Sequence, residues 1–172
     1  MKFLSSILTR PFVTRLLVLL GVFFCTIGSD QLTKYGARNL LAVSGQTSFL
    51  GGLVKFSLVE NYGGFLGIVS NLPSGLRFFL LNVCVAILLA ACLGYLLWSS
   101  KQQSQAWIPV AFITGGGISN LLDRLVGTGG VTDFVIVGTD FLHTGIFNLA
   151  DVFILVGSFV IGFHLFCHSS QQ

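Results

Sequence analysis

The chain has 172 residues, of which 53% are hydrophobic and only 9% charged, so it lacks the polar residues a water-soluble domain needs to cover its surface. A formal net charge of +3, carried by scattered basic residues, is too weak for a nucleic-acid surface, and no nucleic-acid partner is expected. Composition therefore assigns the chain to a bilayer.

A helical span needs about 20 predominantly apolar residues, and residues 12–28 supply the first. Arg10 and Arg15 ahead of the apolar run 16–27 also follow the plan of a cleavable signal peptide with a cut near Gly28-Ser29. A long connection, 29–74, comes next. Within it Leu53-Val54-Lys55-Phe56-Ser57-Leu58-Val59-Glu60 partly alternates apolar and polar residues between the pairs Gly51-Gly52 and Gly63-Gly64, which predicts a short β-ribbon resting on the membrane surface, as a lid or as a substrate platform.

Residues 75–98 form the second span and 106–122 the third, joined by the short polar linker 99–105. A second long connection, 123–146, is rich in Gly and leads to the fourth span, 147–166. The expected architecture is a single all-α integral membrane domain over residues 1–172, with four transmembrane helices and a small β-like platform between helices 1 and 2. Functional groups belong on the side of the two long connections, opposite both termini. Lys2, Arg10, Arg15 and Lys101 place the termini in the cytoplasm. Lys34, Arg38, Lys55, Arg77 and Arg124 fall on the other side, so the orientation rests on the first span and on the shortness of the Lys101 loop.

Cys25, Cys84, Cys92 and Cys167 all lie in spans, with neither CxxC nor Cys/His metal spacing, and are expected to be small apolar packing residues. Gly115-Gly116-Gly117 and Ser119 are expected to let helices approach closely. Phe residues, Trp98 and Trp107 are expected as lipid contacts and interfacial anchors.

Against this apolar background the polar residues are conspicuous. Asp30 and Lys34 stand at i and i+4 just past span one; Asn120, Asp123 and Arg124 at i, i+3 and i+4 as span three ends; Asn148 and Asp151 at i and i+3 as span four begins. In an up-and-down bundle these three ends meet on one face. Singly, each has an ordinary explanation, a snorkelling pair for Asp123-Arg124 or a helix-terminal charge for Asp151. Together on one face they predict a polar pocket, because a carboxylate at the centre of a span costs about 2.5 to 3.5 kcal/mol.

Half of the six acidic residues, Asp133, Asp140 and Asp151, fall within residues 127–153. Asp133 follows the flexible Gly127-Thr128-Gly129-Gly130 and precedes Phe134-Val135-Ile136, so a loop returning to the membrane would hold it at the interface. Two carboxyls sharing a low-dielectric site are driven to different protonation states, and such a pair can activate water while polarising an amide carbonyl. Other chemistries lack their patterns: His143, His164 and His168 form no HExxH, no serine stands in GxSxG, and Thr114-Gly115-Gly116-Gly117 lacks the ending of a phosphate loop. His143 is expected to be a solvated loop residue.

Five motifs in order, Asp30-Gln31-Leu32-Thr33-Lys34, Glu60-Asn61-Tyr62-Gly63, Gly117-Ile118-Ser119-Asn120-Leu121-Leu122-Asp123-Arg124, Gly130-Val131-Thr132-Asp133-Phe134 and Phe147-Asn148-Leu149-Ala150-Asp151, resemble the bacterial lipoprotein signal peptidase family, signal peptidase II. The resemblance runs along nearly the whole chain and favours a retained first span. It implies an aspartic endopeptidase of the bacterial inner membrane, with its site near the periplasmic face, that cuts diacylglyceryl-modified prolipoproteins just before the lipidated cysteine. It implies no metal or cofactor, contact with membrane lipid, and Asp133 and Asp151 as the catalytic dyad. Asp30, Lys34, Asn61, Gly63, Asn120, Arg124 and Asn148 would position substrate or support the dyad. The chain departs from the family's pattern after the Asn-x-Gly element, where Gly-Ala-Ala-Phe is common and Gly63-Gly64-Phe65-Leu66-Gly67 stands here; Asp140 and residues 139–145 have no assigned counterpart. A monomer is expected. The competing readings are a non-catalytic paralogue that binds lipidated peptides and a small membrane transporter.

Overall fold

The computed structural model describes residues 10–64, 69–98 and 106–169. The linker 99–105 with Lys101, Lys2, and residues 65–67 of the glycine-rich departure lie outside the described residues. Helix α1 runs over Arg10–Ser44, followed by strands β1, Thr47–Phe49, and β2, Val54–Asn61. Helix α2 covers Ser74–Trp98 and contains a π-helical stretch, Phe79–Cys84. Helix α3, Trp107–Val126, strand β3, Val131–Val137, and helix α4, Leu149–Ser169, complete the chain.

Among the described residues three helices, α1, α2 and α4, are long and apolar enough to cross a membrane. Helix α3 has 20 residues but spends one side on Thr114, Gly115, Gly116, Ser119, Asn120 and Asp123, all buried. It is the inner helix of the bundle and packs against the other three, most extensively against α4. Helices α2 and α4 flank it without an extensive contact of their own among the described residues, which leaves a lateral gap between them.

The first helix differs most from expectation. It continues for 16 residues past the predicted end at Gly28, so Asp30 and Lys34 lie inside it rather than beyond it. Its buried stripe reads Leu19, Thr26, Asp30, Lys34, Ala37 and Leu41, a helical spacing that changes from apolar to polar at Thr26 and so ends the apolar run without ending the helix. Gly45 stops it: with φ +68 it adopts the left-handed conformation common just past a helix end, and its N–H donates to the Leu41 carbonyl at 2.9 Å. At about 1.5 Å per residue α1 is about 52 Å long, well beyond a hydrocarbon core of about 30 Å.

That extra length carries the sheet. Ala37 and Leu41 form a core with Phe134, against which Phe56, Leu58 and Val135 pack. The ribbon expected at residues 53–60 is present as β2, but the sheet has three antiparallel strands in the order β1-β2-β3. Its third strand comes from the connection between α3 and α4, so the platform is not built between helices 1 and 2 alone. Asp133, expected on a loop, is in β3 opposite Val59. Val131-Thr132-Asp133-Phe134 is buried throughout, and a strand buried on both faces shows none of the alternation that announces a half-exposed one.

At the other end of the bundle Leu19, Leu96, Trp107 and Ala111 form a second core. Trp107 is therefore no interfacial anchor: it is buried, with its indole N–H donating to the Leu96 carbonyl at 3.1 Å. Trp98 is exposed, as an anchor should be. The three consecutive glycines each face a different helix. A β-carbon on Gly115 would stand 2.1 Å from Thr26 Oγ1, on Gly116 2.6 Å from the Ala150 carbonyl oxygen, and on Gly117 2.7 Å from Leu89 Cδ2. The backbone obstacle at Gly116 cannot swing aside, whereas the leucine tip at Gly117 can. Gly116→Ala is therefore expected to lower stability by about 1–3 kcal/mol, and Gly117→Ala by clearly less. Unfolding midpoints in detergent check the order, and equal losses would contradict it.

Candidate active site

Three local features bring Asp133 and Asp151 together. Strand β3 is flanked by β2 on one side; on the other, Phe147 bridges Val135, with N–H to carbonyl distances of 2.9 Å both ways. Asn61, at the end of β2, and Asn148, next to Phe147, thus approach Asp133 from opposite sides. Asn61 Nδ2 donates to Asp133 Oδ2 at 2.9 Å, and Asn148 Nδ2 to Asp133 Oδ1 at 2.6 Å.

Asn148 also starts α4. Its Oδ1 accepts the Asp151 N–H at 2.9 Å, while Asp151 Oδ2 accepts the Asn148 N–H at 3.2 Å, the reciprocal arrangement of a capping box. The predicted span began at Phe147; the helix begins at Leu149 because Asn148 is its cap. Asp151 Oδ1 accepts Asn120 Nδ2 from α3 at 2.9 Å. Asn120 Oδ1 in turn accepts Asn148 Nδ2 at 3.1 Å. Two asparagine amides therefore link the two carboxyls.

Beneath them lies a buried charge cluster. Lys34 is fully buried, with Nζ 2.7 Å from Asp30 Oδ2, 2.8 Å from Asp123 Oδ2 and 2.9 Å from Asn120 Oδ1. Asp30 also accepts Ser119 Oγ at 2.7 Å and the Ala150 N–H at 2.8 Å. Asp123 accepts Gln31 Nε2 at 2.9 Å and the Thr132 N–H at 3.2 Å. The cluster ties α1, α3, β3 and the start of α4 into one frame below the carboxyls.

The site opens on a cavity of about 790 Å³. Asn61, Gly64, Asn120, Arg124, Asp133 and Asp151 line its polar part. Leu81 and Val85 of α2, with Val152, Ile154 and Leu155 of α4, form the part of its apolar wall that borders the lateral gap, and Val131, Ile146 and Phe147 form another part. Gly63 is buried beside it and donates its N–H to Asn61 Oδ1 at 3.0 Å, fixing the amide that reaches Asp133.

The Asp133 carboxyl is pushed up to about 6, first by burial; the Asn61 hydrogen bond opposes that shift, the charge of Asp151 adds to it, and Asn148 and Lys34 oppose it. A carboxyl whose pKa is raised by folding contributes stability fully below its ordinary value of 3.8, and that contribution is lost as pH rises through about 6.

All seven predicted supporting residues, Asp30, Lys34, Asn61, Gly63, Asn120, Arg124 and Asn148, lie in this network or on the cavity wall. Asp140 does not. It is exposed and paired with Lys55 at the far end of the sheet, and that ammonium holds its carboxyl below the usual range. His143 is exposed, as expected. Ser119, read only as a small packing residue, and Gln31 and Thr132, given no role, prove to hold Asp30 and Asp123. Each serves a carboxylate on the other helix, Ser119 of α3 donating to Asp30 of α1 and Gln31 of α1 to Asp123 of α3, so the sequence signal is only that Gln31 adjoins Asp30 and that Ser119 stands four residues before Asp123.

Fold and site define a membrane protein that holds two carboxyls over an apolar cavity open to the side. The signal peptidase (SPase) II family matches residues 22–167, and the chain belongs to that family, a family of proteases. It is 34% identical to the lipoprotein signal peptidase of Caldicellulosiruptor bescii, over 88% of this chain and 92% of that protein. It is 32% identical to the lipoprotein signal peptidase of Helicobacter pylori, over 91% and 92% of the two chains. Its fold is similar to that of a bacterial membrane enzyme solved by the in meso method at 2.3 Å, with a TM-score of 0.74 at 21% identity, covering 90% of this chain and 91% of the other.

Proposed function

We propose that this protein is an aspartic endopeptidase that removes signal peptides from diacylglyceryl-modified prolipoproteins, cutting before the lipidated cysteine, with Asp133 and Asp151 as its dyad. The observation that carries the reading is the pair of carboxyls, joined through Asn120 and Asn148, at the polar end of a cavity whose apolar wall in part borders a lateral gap. A lipidated peptide has both parts this space accommodates. The signal helix and its diacylglyceryl chains approach between α2 and α4, and the peptide bond reaches the carboxyls.

One carboxyl takes a proton from water as the oxygen attacks the carbonyl carbon; the other donates its proton to the carbonyl oxygen, giving a tetrahedral diol. Collapse transfers a proton to the departing amine of the cysteine and restores the pair. The titration belongs to the pair rather than to either residue. Asn61, Asn120 and Asn148 keep both carboxyls oriented, and Arg124 on the cavity wall offers donors to the substrate backbone.

The same reading has residues 1–172 as one monomeric domain of the inner membrane, with α3 as a fourth span, both termini cytoplasmic and the site near the periplasmic face. The charged cluster would lie at the interface, where the cost of buried carboxylates falls.

The test is incubation of the purified protein with a diacylglyceryl-modified prolipoprotein, followed by mass spectrometry. A product beginning at the lipidated cysteine supports the reading; a folded protein that binds the substrate and leaves it whole overturns it and favours a binding paralogue. The pH profile gives a second check. Catalysis needs one proton on the pair, so the rate falls on the alkaline side as that proton is lost. Asn61→Leu removes a donor that favours ionised Asp133, so the alkaline limb is expected to move to higher pH. A limb that stays in place or moves down contradicts the assignment.

A further inference from the structure

On the cavity wall Leu81 of α2 stands against Gly64, just past β2. A β-carbon on Gly64 would lie 2.9 Å from Leu81 Cδ2 and 3.7 Å from Leu81 Cδ1, so the leucine methyls occupy the room an alanine there would need. Gly64 is one of the positions at which this chain leaves the common Gly-Ala-Ala-Phe run, and its φ of +69 favours glycine. Gly64 is also fixed relative to the site: Asn61 Nδ2 donates to the Gly64 carbonyl at 2.9 Å and to Asp133 Oδ2 at 2.9 Å. Leu81 therefore touches a residue that shares one amide group with Asp133.

The helix is specialised at this point. Leu81 lies within the π-helical stretch Phe79–Cys84, a wide turn of a kind often found at functional sites. The neighbouring Asn82 is buried and its Nδ2 donates to the Phe78 carbonyl one turn back at 3.1 Å, bracing the turn. Leu81 and Val85 are the α2 residues on the cavity wall, and Leu81 is the one that reaches Gly64.

We propose that Leu81, seated against Gly64, determines specificity: it limits the size of the substrate side chain that precedes the scissile bond. This rests on the peptidase reading above. A backbone presented to Asp133 and Asp151 has to pass the Leu81–Gly64 contact, and the side chain next to the cut competes with the leucine methyls for the same volume. The residue after the cut is the lipidated cysteine, so the preceding position is the one that varies.

The experiment measures kcat/KM on three diacylglyceryl-modified prolipopeptides with Gly, Ala or Leu before the cysteine, for the wild type, Leu81→Ala and Leu81→Met. The expected result is that Leu81→Ala raises the Leu-to-Gly ratio of kcat/KM by at least about tenfold, the scale of a few methylenes in a pocket, while the volume-conserving Leu81→Met keeps the wild-type ratio. Gly64→Ala should narrow tolerance further, and Leu81→Ala in that background should recover cleavage of the Gly peptide. If the wild type cuts the Gly peptide and Leu81→Ala leaves the ratio unchanged, the inference fails and the peptidase reading stands. If the folded wild type cuts none of the three, both fall. If Leu81→Ala proves unfolded in detergent, Gly64→Ala decides: a lower Leu-to-Gly ratio than wild type supports the proposal, and an unaltered preference overturns it.

Discussion

Asp133→Asn and Asp151→Asn are each expected to lower the rate of prolipoprotein cleavage by about 10³-fold or more, since in the proposed mechanism each removes one half of the acid/base pair and general acid/base groups contribute up to about 10⁴-fold apiece. Loss of a proton-transferring carboxyl has to be separated from loss of a hydrogen-bond acceptor. Asp133 accepts two side-chain amides, from Asn61 and Asn148, so an asparagine there sets one donor against another. Asp151→Asn can keep both bonds of the cap, because the backbone N–H that donates to Asn148 is unchanged and an Asn Oδ1 can still accept the Asn148 N–H, but it turns an amide towards Asn120 Nδ2. Each substitution is thus expected to cost about 1–3 kcal/mol of stability, so rates are compared at equal amounts of folded protein. Asp140→Asn is the internal control. Its side chain is exposed and paired with Lys55, and the rate should stay within about twofold of wild type. Retention of a third of the wild-type rate by either dyad variant, or loss of activity in Asp140→Asn, would remove the dyad assignment.

What could be read in the sequence, and what could not, follows the kinds of contact involved. Membrane residence, the approximate places of α2 and α4, the small-residue face of α3 and strand β2 all announce themselves through composition or period. The extent of α1 does not. Its buried positions turn polar at Thr26, Asp30 and Lys34, so hydropathy falls while the helix continues to Ala37 and Leu41, and only the 26-30-34-37-41 spacing records it. β3 was hidden for a related reason, because Val131-Thr132-Asp133-Phe134 is buried on both sides and reads as an unpatterned run. Trp107 has the composition of an interfacial anchor, but its indole N–H finds a carbonyl within the bundle. The choice of Asp133 over Asp140 came from the family's pattern and not from spacing. The structure places the two differently: Phe147 bridges Val135, which brings Asn148 beside Asp133, and Asp140 lies beyond that pairing.

Lys34→Met is expected to destabilise the protein more than any substitution at the dyad, by about 3–5 kcal/mol, the cost of breaking a buried ion pair by removing one partner. The ammonium has three donors and the structure supplies three acceptors, Asp30, Asp123 and Asn120, at 2.7, 2.8 and 2.9 Å. Without it two carboxylates are left buried in the same enclosure. Arg38, whose Nη2 is 3.8 Å from Asp123 Oδ1 and whose side chain is 43% exposed, is too distant and too solvated to replace it. If charge imbalance is the cause, then Asp30→Asn and Asp123→Asn combined with Lys34→Met recover much of the loss, because a neutral set of polar groups tolerates burial where unpaired charges do not. Chemical unfolding in detergent micelles measures both effects. A Lys34→Met protein within about 1 kcal/mol of wild type would show that the cluster does not hold the bundle. The triple variant separates stability from activity. Asn120 points its Nδ2 at Asp151 because Lys34 and Asn148 both donate to its Oδ1. With Lys34 gone, one of those two anchors is lost, so the triple variant should fold and still cut slowly. Full activity in it would mean that Asn148 alone keeps the amide turned towards Asp151.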